Sequence, residues 1–84
     1  MPDFLCLMDE NRKGFCWNGV EFINDLNKVL NYKKDDLFDT WIELSALGIN
    51  AIPVRCRFEP VQREDGMWVL QVFFDEINNE IKYG

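Results

Sequence analysis

The spacing of apolar residues changes along the chain, and the N-terminal part has the short apolar runs of β-strands. Phe4 to Met8 is followed by a polar turn, and Gly14 to Trp17 resumes as the partner strand. Asn18-Gly19 is a strong hairpin signal because a type I′ turn needs positive φ at both of its central residues. The next segment, Val20 to Phe22, fits either a brief third strand or the start of a helix.

Helical spacing follows in the middle of the chain. Apolar residues recur every three or four positions over residues 24–31 and again over 36–47, which predicts two helices. Asp35 and Asp36 place negative charge where the second helix begins, and Gly48 fits the position after its end. The apolar faces of the two predicted helices consist of Ile23, Leu26, Val29 and Leu30, and of Leu37, Phe38, Trp41, Ile42 and Leu44.

The C-terminal part predicts a β-hairpin. Apolar and polar residues alternate over 52–61, and Pro53, which has no amide proton, places the start of that strand at an edge or outside the ladder. Asp65-Gly66 is the hairpin turn. Residues 67–74 are apolar on both faces, so this strand either lies centrally under the helices or exposes an apolar patch. Residues 75–84 fit a short helix or a last hairpin.

These elements predict one α+β domain spanning residues 1–84. The expected architecture is an antiparallel sheet of about four strands with two helices packed on one face, in the order β-β-α-α-β-β. Strands and helices come in runs rather than in strict alternation, which is typical of α+β folds rather than of parallel α/β folds.

Composition narrows the function. The 84 residues include 15 acidic and nine basic residues and no histidine, which gives a net charge of −6. This charge argues against direct binding of nucleic acid or anionic membranes, because both need clustered Lys and Arg. The start, Met-Pro-Asp, has no basic leader, and no apolar run reaches the length of a spanning helix. We therefore expect a cytoplasmic protein.

Three cysteines, Cys6, Cys16 and Cys56, stand among apolar neighbours without CxxC spacing. The expectation is three reduced thiols that act as small buried apolar side chains. A Cys6–Cys16 disulfide and a three-thiolate metal site completed by a carboxylate are the alternatives. We expect neither a metal nor a cofactor.

Catalytic chemistry has little support in the sequence. Asp36, Asp39 and Glu43 form one stripe along the second predicted helix. Such a stripe suits a solvated face, a partner-binding surface, or a pair of groups for acid–base catalysis or magnesium binding. No histidine is present to activate a serine or cysteine, and no phosphate-binding or hydrolase motif occurs. We expect a protein that is not an enzyme.

Protein binding is the function that the sequence favours. The partner-binding residues that we predict are Asp36, Asp39, Glu43, Trp68, Phe74, Asp75 and Glu76. The hypothesis is a small acidic inhibitor or immunity-type factor, such as a phage or mobile-element anti-defence protein, that blocks a basic, nucleic-acid-handling protein. The alternative is a structural or accessory subunit of a larger assembly. A homodimer formed through the C-terminal strand is a further mode of association.

Overall fold

One antiparallel sheet organises residues 3–77, the part of the chain that this computed structural model describes. The elements are β1 (Phe4–Asp9), β2 (Cys16–Trp17), β3 (Phe22–Ile23), α1 (Lys34–Ala46), β4 (Ala51–Gln62) and β5 (Trp68–Glu76). The strands lie in the order β3-β2-β1-β4-β5, and neighbouring strands are antiparallel.

The predicted fold class is wrong. Residues 3–77 contain one helix and five strands in the order β-β-β-α-β-β, not two helices over about four strands. The helix expected over 36–47 is α1, and the expected C-terminal hairpin is β4 and β5. For Val20 to Phe22, which fitted either a strand or a helix, the structure has a strand, β3, that begins at Phe22. Of the ambiguous tail, Asp75 and Glu76 belong to β5, and residues 78–84 lie outside the described residues.

The helix expected over residues 24–31 is replaced by turns. Asp25 explains the difference, because its carboxylate accepts a hydrogen bond from the Asn27 amide (3.0 Å) and its carbonyl accepts one from the Lys28 amide (3.0 Å). Such bonds between an Asx side chain and nearby backbone compete with helix formation. The apolar residues of this segment still contribute to the core, since Val29 is buried and Leu26 packs against the same cluster.

The two faces of the sheet are covered by different segments. On the helix face, Leu7, Trp17 and Ala51 pack with Leu37 and Leu44 of α1. On the opposite side, called here the loop face, residues 24–31 provide the cover. The loop-face core consists of Cys6, Met8, Cys16, Val29, Val54 and Cys56. Alternation along β1 sends neighbouring side chains to opposite faces, so β1 is buried on both.

The sheet order decides between the alternatives left open for two strands. Residues 67–74 are not central but expose apolar residues, because β5 is the edge of the sheet, and the strand buried on both faces is β1. Pro53 is not at an edge, because it is buried and pairs with Leu7 of β1. Its carbonyl accepts from the Ile77 amide (3.2 Å), so its backbone is directed to the β5 side, where the β4–β5 ladder stops at Val54 and Glu76. The missing amide proton therefore removes no bond to β1, and Pro53 lies just outside the β4–β5 ladder, which is the second of the two predicted positions.

The Asn18-Gly19 turn forms by a different mechanism from the predicted type I′ turn. Gly19 has φ of 104°, but no described residue other than glycine has positive φ, so Asn18 does not meet the type I′ requirement. The Asn18 side-chain oxygen instead accepts hydrogen bonds from the amides of Val20 and Glu21 (both 2.8 Å). The sequence pair correctly located a turn, and the side chain of Asn18 stabilises it.

The end of α1 is closed by a Schellman motif. Gly48, with φ of 80°, donates its amide to the Ser45 carbonyl (3.0 Å), and Ile49 donates to the Leu44 carbonyl (2.9 Å). Trp41 ties the helix to β4, because its indole N–H donates to the Ala51 carbonyl (2.8 Å). Ile42, which was predicted to be buried, is 61% exposed.

Trp41 provides a test of this helix–sheet contact. We expect Trp41→Ala to lower the free energy of unfolding by about 3 kcal/mol, the low end for a large aromatic, because the side chain is half-buried. Trp41→Phe should cost about 1 kcal/mol, since it removes mainly the hydrogen bond. Urea denaturation measures both, with exposed Ile42→Ala as the control. Equal losses for Trp41→Ala and Ile42→Ala would contradict the packing.

Asp9 provides a second test, at the end of β1. It is buried, and its carboxylate accepts hydrogen bonds from the Asn11 amide and the Arg12 Nε–H (both 2.9 Å). The Asn11 amide, followed by Arg12, lowers the pKa of Asp9 below its usual 3.8. A lowered folded pKa stabilises the protein above pH 3.8, and this contribution is lost as the pH falls through the folded value.

Asp9→Asn should therefore reduce stability at pH 7 and lose less on acidification than the parent protein does. Urea denaturation at pH 7 and at several values below 3.8 measures the difference, with exposed Asp39→Asn as the control. Parallel acid losses in the parent and in Asp9→Asn would exclude this contribution.

Candidate functional site

The far half of the β4–β5 hairpin extends beyond the covered part of the sheet. β1 pairs with β4 only from Ala51 to Cys56, whereas β5 pairs with β4 from Val54 to Gln62. Residues 57–73, called here the distal hairpin, therefore lie past the end of β1. This extension fits the elongated dimensions of the molecule, 46 × 29 × 20 Å.

The loop face of this hairpin is apolar. Phe58 lies opposite Val72, Pro60 opposite Leu70, and the next β5 residue on this face towards the turn is Trp68. Together with Phe74, opposite Cys56, they form what we call the hairpin patch: Phe58, Pro60, Trp68, Leu70, Val72 and Phe74. Phe58, Val72 and Phe74 pack against the loop-face core. Trp68 and Leu70 remain 65% and 52% exposed.

The hairpin patch is continuous with the body of the domain. The rings of Phe4 on β1 and Phe58 on β4 lie 6.1 Å apart between centroids, at a tilted angle. The patch therefore starts at the loop-face core and runs outward along the hairpin to Trp68. Contiguous apolar surface of this kind, rimmed by polar residues such as Gln62, marks interaction sites in soluble domains.

The helix face of the same hairpin is charged. Arg57 forms ion pairs with Asp75 and Glu59, and its guanidinium lies 4.9 Å from the centre of the Phe73 ring. Asp75, and then Glu59, raise the pKa of Arg57, which keeps it cationic. The helix face thus combines these ion pairs with apolar residues such as Val61 and Val69, which lie opposite each other, whereas the loop face carries the hairpin patch.

The predicted site residues fall into separate groups. Asp36, Asp39 and Glu43 are all exposed on α1, which covers the helix face. Trp68 and Phe74 share the loop face, where Trp68 is exposed and Phe74 is half-buried. The two clusters are therefore separated by the sheet, and one flat partner surface cannot contact both.

The last two predicted residues lie at the end of β5. Asp75 is on the helix face in its ion pair with Arg57, and Glu76 is an exposed residue at the body end of the strand. Four residues of the hairpin patch were missing from the predicted site: Phe58, Pro60, Leu70 and Val72. The alternation in 67–74 already groups Leu70 with Trp68 and Phe74, but Phe58 and Pro60 join them only through the hairpin register.

The three cysteines lie together in the loop-face core as free, fully buried thiols, as predicted. The Cys6 thiol donates to Cys16 with 3.6 Å between sulfurs, and this bond together with burial raises the pKa of Cys6. Burial raises the pKa of Cys56 from 9.0 to about 11. Cys6 and Cys56 are therefore protonated and poorly nucleophilic at neutral pH.

A pocket of about 390 Å³ lies at the end of α1 and is separate from the hairpin patch. Glu10, Ser45, Asn50 and Glu76 are among its lining residues, and Trp41 forms part of its wall. The indole N–H of Trp41 is already bonded to Ala51, and the chain has no histidine to activate Ser45. The residues that line this pocket therefore offer weaker support for a function than the exposed hairpin patch does.

Residues 3–77 also lack a metal-binding cluster and a membrane-spanning helix. Within residues 3–77, no group of three or more Cys, Asp or Glu side chains is arranged to hold a metal ion. Over the same residues, no helix combines the length and apolar character needed to cross a membrane.

The burial of the cysteines predicts their reactivity. Alkylation under denaturing, non-reducing conditions should add three groups to the intact mass, because all three thiols are free. In the native protein at neutral pH the same reagent should react far more slowly, since the thiols are buried and protonation of Cys6 and Cys56 is favoured. Mass spectrometry counts the additions. A single addition after denaturation would instead indicate an intramolecular disulfide.

Comparison with known proteins identifies no relative. No protein-family model, curated protein or solved structure matches this chain. A function is therefore inferred from the residues of the chain itself.

Proposed function

We propose that this chain is a small acidic inhibitor or immunity-type factor that binds and blocks a basic protein, and that the hairpin patch holds the complex together. The supporting observation is the exposure of Trp68 and Leu70 at the outer end of a continuous apolar surface. Tryptophan is enriched among the residues that dominate binding energy when a partner covers them.

The members of the hairpin patch differ in what they contribute. Trp68 and Leu70 are largely exposed in the free chain, so most of their apolar surface remains to be covered by a partner. Phe58, Val72 and Phe74 already pack against the loop-face core. Trp68 and Leu70 are therefore the binding anchors, whereas Phe58, Val72 and Phe74 also support the fold.

The acidic stripe on α1 acts at a distance in this proposal. Asp36, Asp39 and Glu43 lie on the other side of the sheet from the patch, so they do not share its contact surface. With a net charge of −6, the chain attracts a basic partner. Such attraction speeds the encounter and weakens as salt screens it over about 8 Å at physiological ionic strength.

The proposed partner is a nucleic-acid-handling enzyme, because such proteins carry the basic surfaces that an acidic inhibitor matches. The proposed compartment is the cytoplasm, which keeps free thiols such as the three buried cysteines reduced. Phage and mobile-element anti-defence proteins are the class in which we place it. An accessory subunit that keeps the same patch permanently covered is the second candidate.

The first experiment finds the partner and tests the patch together. The immobilised chain captures proteins from a lysate of its native host, beside Trp68→Ala, Leu70→Ala and a control. The control is Leu47→Ala, because Leu47 is 73% exposed but lies outside the patch. A basic protein retained by the parent and the control but lost by both patch variants is the expected result. Equal retention by all four chains would overturn the role of the patch.

Kinetics with the purified partner then separate the two groups of residues. Trp68→Ala should raise Kd by roughly 30-fold, mainly through faster dissociation, as expected for a covered anchor. The triple variant Asp36→Lys, Asp39→Lys and Glu43→Lys should slow association and flatten its salt dependence. Surface-binding measurements at two salt concentrations give both rates. An unchanged association rate would show that the stripe is merely a solvated face.

The same partner separates the two candidate functions. An inhibitor abolishes the activity of an otherwise complete enzyme and is folded and soluble without it. An accessory subunit is required for the activity and aggregates or folds poorly alone. Activity of the partner with and without this chain, together with sedimentation of the free chain, distinguishes them.

A further inference from the structure

The outer edge of β5 is open within the described residues. β5 is the last strand in the sheet order, and nothing in residues 3–77 pairs with its outer side. Trp68–Glu76 contains no proline, lysine or arginine, and its only charges are Asp75 and Glu76 at one end. Natural edge strands usually carry such charges or prolines to prevent pairing with other chains. This edge lacks that protection over most of its length.

The hydrogen bonds of the hairpin show which β5 residues direct their backbone to this edge. In an antiparallel pair, successive residues turn their N–H and C=O groups alternately towards and away from the partner strand. The Arg63 amide donates to the Met67 carbonyl (2.7 Å), so Met67 and every second residue after it face β4. Pro60, which has no amide proton, lies opposite Leu70, in agreement with this alternation. The outward-facing backbone groups are those of Trp68, Leu70, Val72 and Phe74.

We propose that two copies of this chain pair edge to edge through β5, antiparallel about a two-fold axis at Gln71. This register places Trp68 opposite Phe74 of the second copy and Leu70 opposite Val72 of the second copy. On the other face, Val69 lies opposite Phe73 of the second copy, and Gln71 lies opposite its own counterpart. Each apolar residue from 68 to 74 thus faces another apolar residue.

Strand length and charge select this register over its neighbours. With the axis at Gln71, Asp75 lies opposite Met67 of the second copy, and the acidic ends of the two strands are far apart. An axis at Leu70 would place Phe74 opposite Gly66 in the turn that precedes β5, so fewer strand residues would pair. An axis at Val72 would place Trp68 opposite Glu76 and Val69 opposite Asp75.

The pairing leaves the rest of the molecule free. α1 packs over β1 and β4, so it does not cover the β5 edge. Because residues directly opposite share a face, the two hairpin patches would join into one apolar surface across the dimer. A seven-residue strand contact is small beside the ~800 Å² per partner of a typical specific interface, so we expect a concentration-dependent dimer. The pairing does not depend on the proposed function, because it is formed by backbone groups at the open edge of β5, although the side chains of the hairpin patch lie beside it.

A charge exchange at residue 71 tests the register. Gln71 is exposed, so Gln71→Glu and Gln71→Lys should leave the fold unchanged by circular dichroism. Each variant alone should weaken the dimer roughly two- to five-fold, because like charges meet at the axis. An equimolar mixture of the two variants should restore the dimer, because opposite charges then meet. Sedimentation over a range of concentrations measures all three samples.

Leu70→Pro tests the backbone bonds, with Leu70→Ala as its matched control. Both variants shorten the side chain, but only proline removes the outward amide, at a position that gives no hydrogen bond to β4. Leu70→Pro should weaken the dimer by roughly 30-fold more than Leu70→Ala does. The reason is that each copy loses the hydrogen bond donated by its residue 70 amide, so the dimer loses two bonds. A monomeric parent chain at every concentration, or a dimer unaffected by Leu70→Pro and by the Gln71 variants, would overturn the proposal. A parent chain that stays monomeric while binding an extended segment of another protein would overturn it as well.

Discussion

The burial of β1 on both faces is the constraint on which the rest of the structure depends. Leu7 needs cover on one side of this strand, and Cys6 and Met8 need it on the other. α1 covers the first side, and residues 24–31 cover the second. The middle of the chain therefore packs mainly against β1 and the strands beside it. A small domain has little further chain with which to cover the remaining sheet.

The distal hairpin is left partly uncovered for this reason. Its apolar side chains continue the pattern of the loop-face core, but the outer ones lie past the end of β1. Trp68 and Leu70 therefore remain exposed, although their alternation is that of a buried strand. On the opposite face of the same strands, the ion pairs around Arg57 lie beside apolar residues such as Phe73 and Val69. The exposed Trp68 and Leu70 thus lie together on the loop face of one uncovered segment.

Local signals in the sequence located the helix from Lys34 to Ala46, its closing Gly48 and the two strands of the hairpin. The errors arose where local spacing conflicted with side-chain chemistry or with sheet position. Residues 24–31 have helical spacing, but Asp25 bonds to nearby backbone and holds turns instead. The residues of a strand do not show whether it lies in the centre of a sheet or at an edge with the same apolar residues exposed. For β5 the sequence therefore predicted both positions.

The candidate site was predictable to a similar extent. Trp68 and Phe74 share a face by alternation alone, whereas Phe58 and Pro60 join them through a register that no single strand encodes. The separation of the patch from the acidic stripe depends on the side of the sheet on which α1 packs. The side on which α1 packs depends on the whole core, because Leu7, Trp17 and Ala51 are all buried by α1 on the same face of the sheet.

The position of the hairpin patch also affects how this protein can evolve. The residues that hold the fold together lie around β1, whereas Trp68 and Leu70 are mostly in contact with solvent. Substitutions at exposed positions of this kind usually change stability by less than about 0.5 kcal/mol. The outer end of the hairpin can therefore accumulate substitutions while the domain that carries it stays folded.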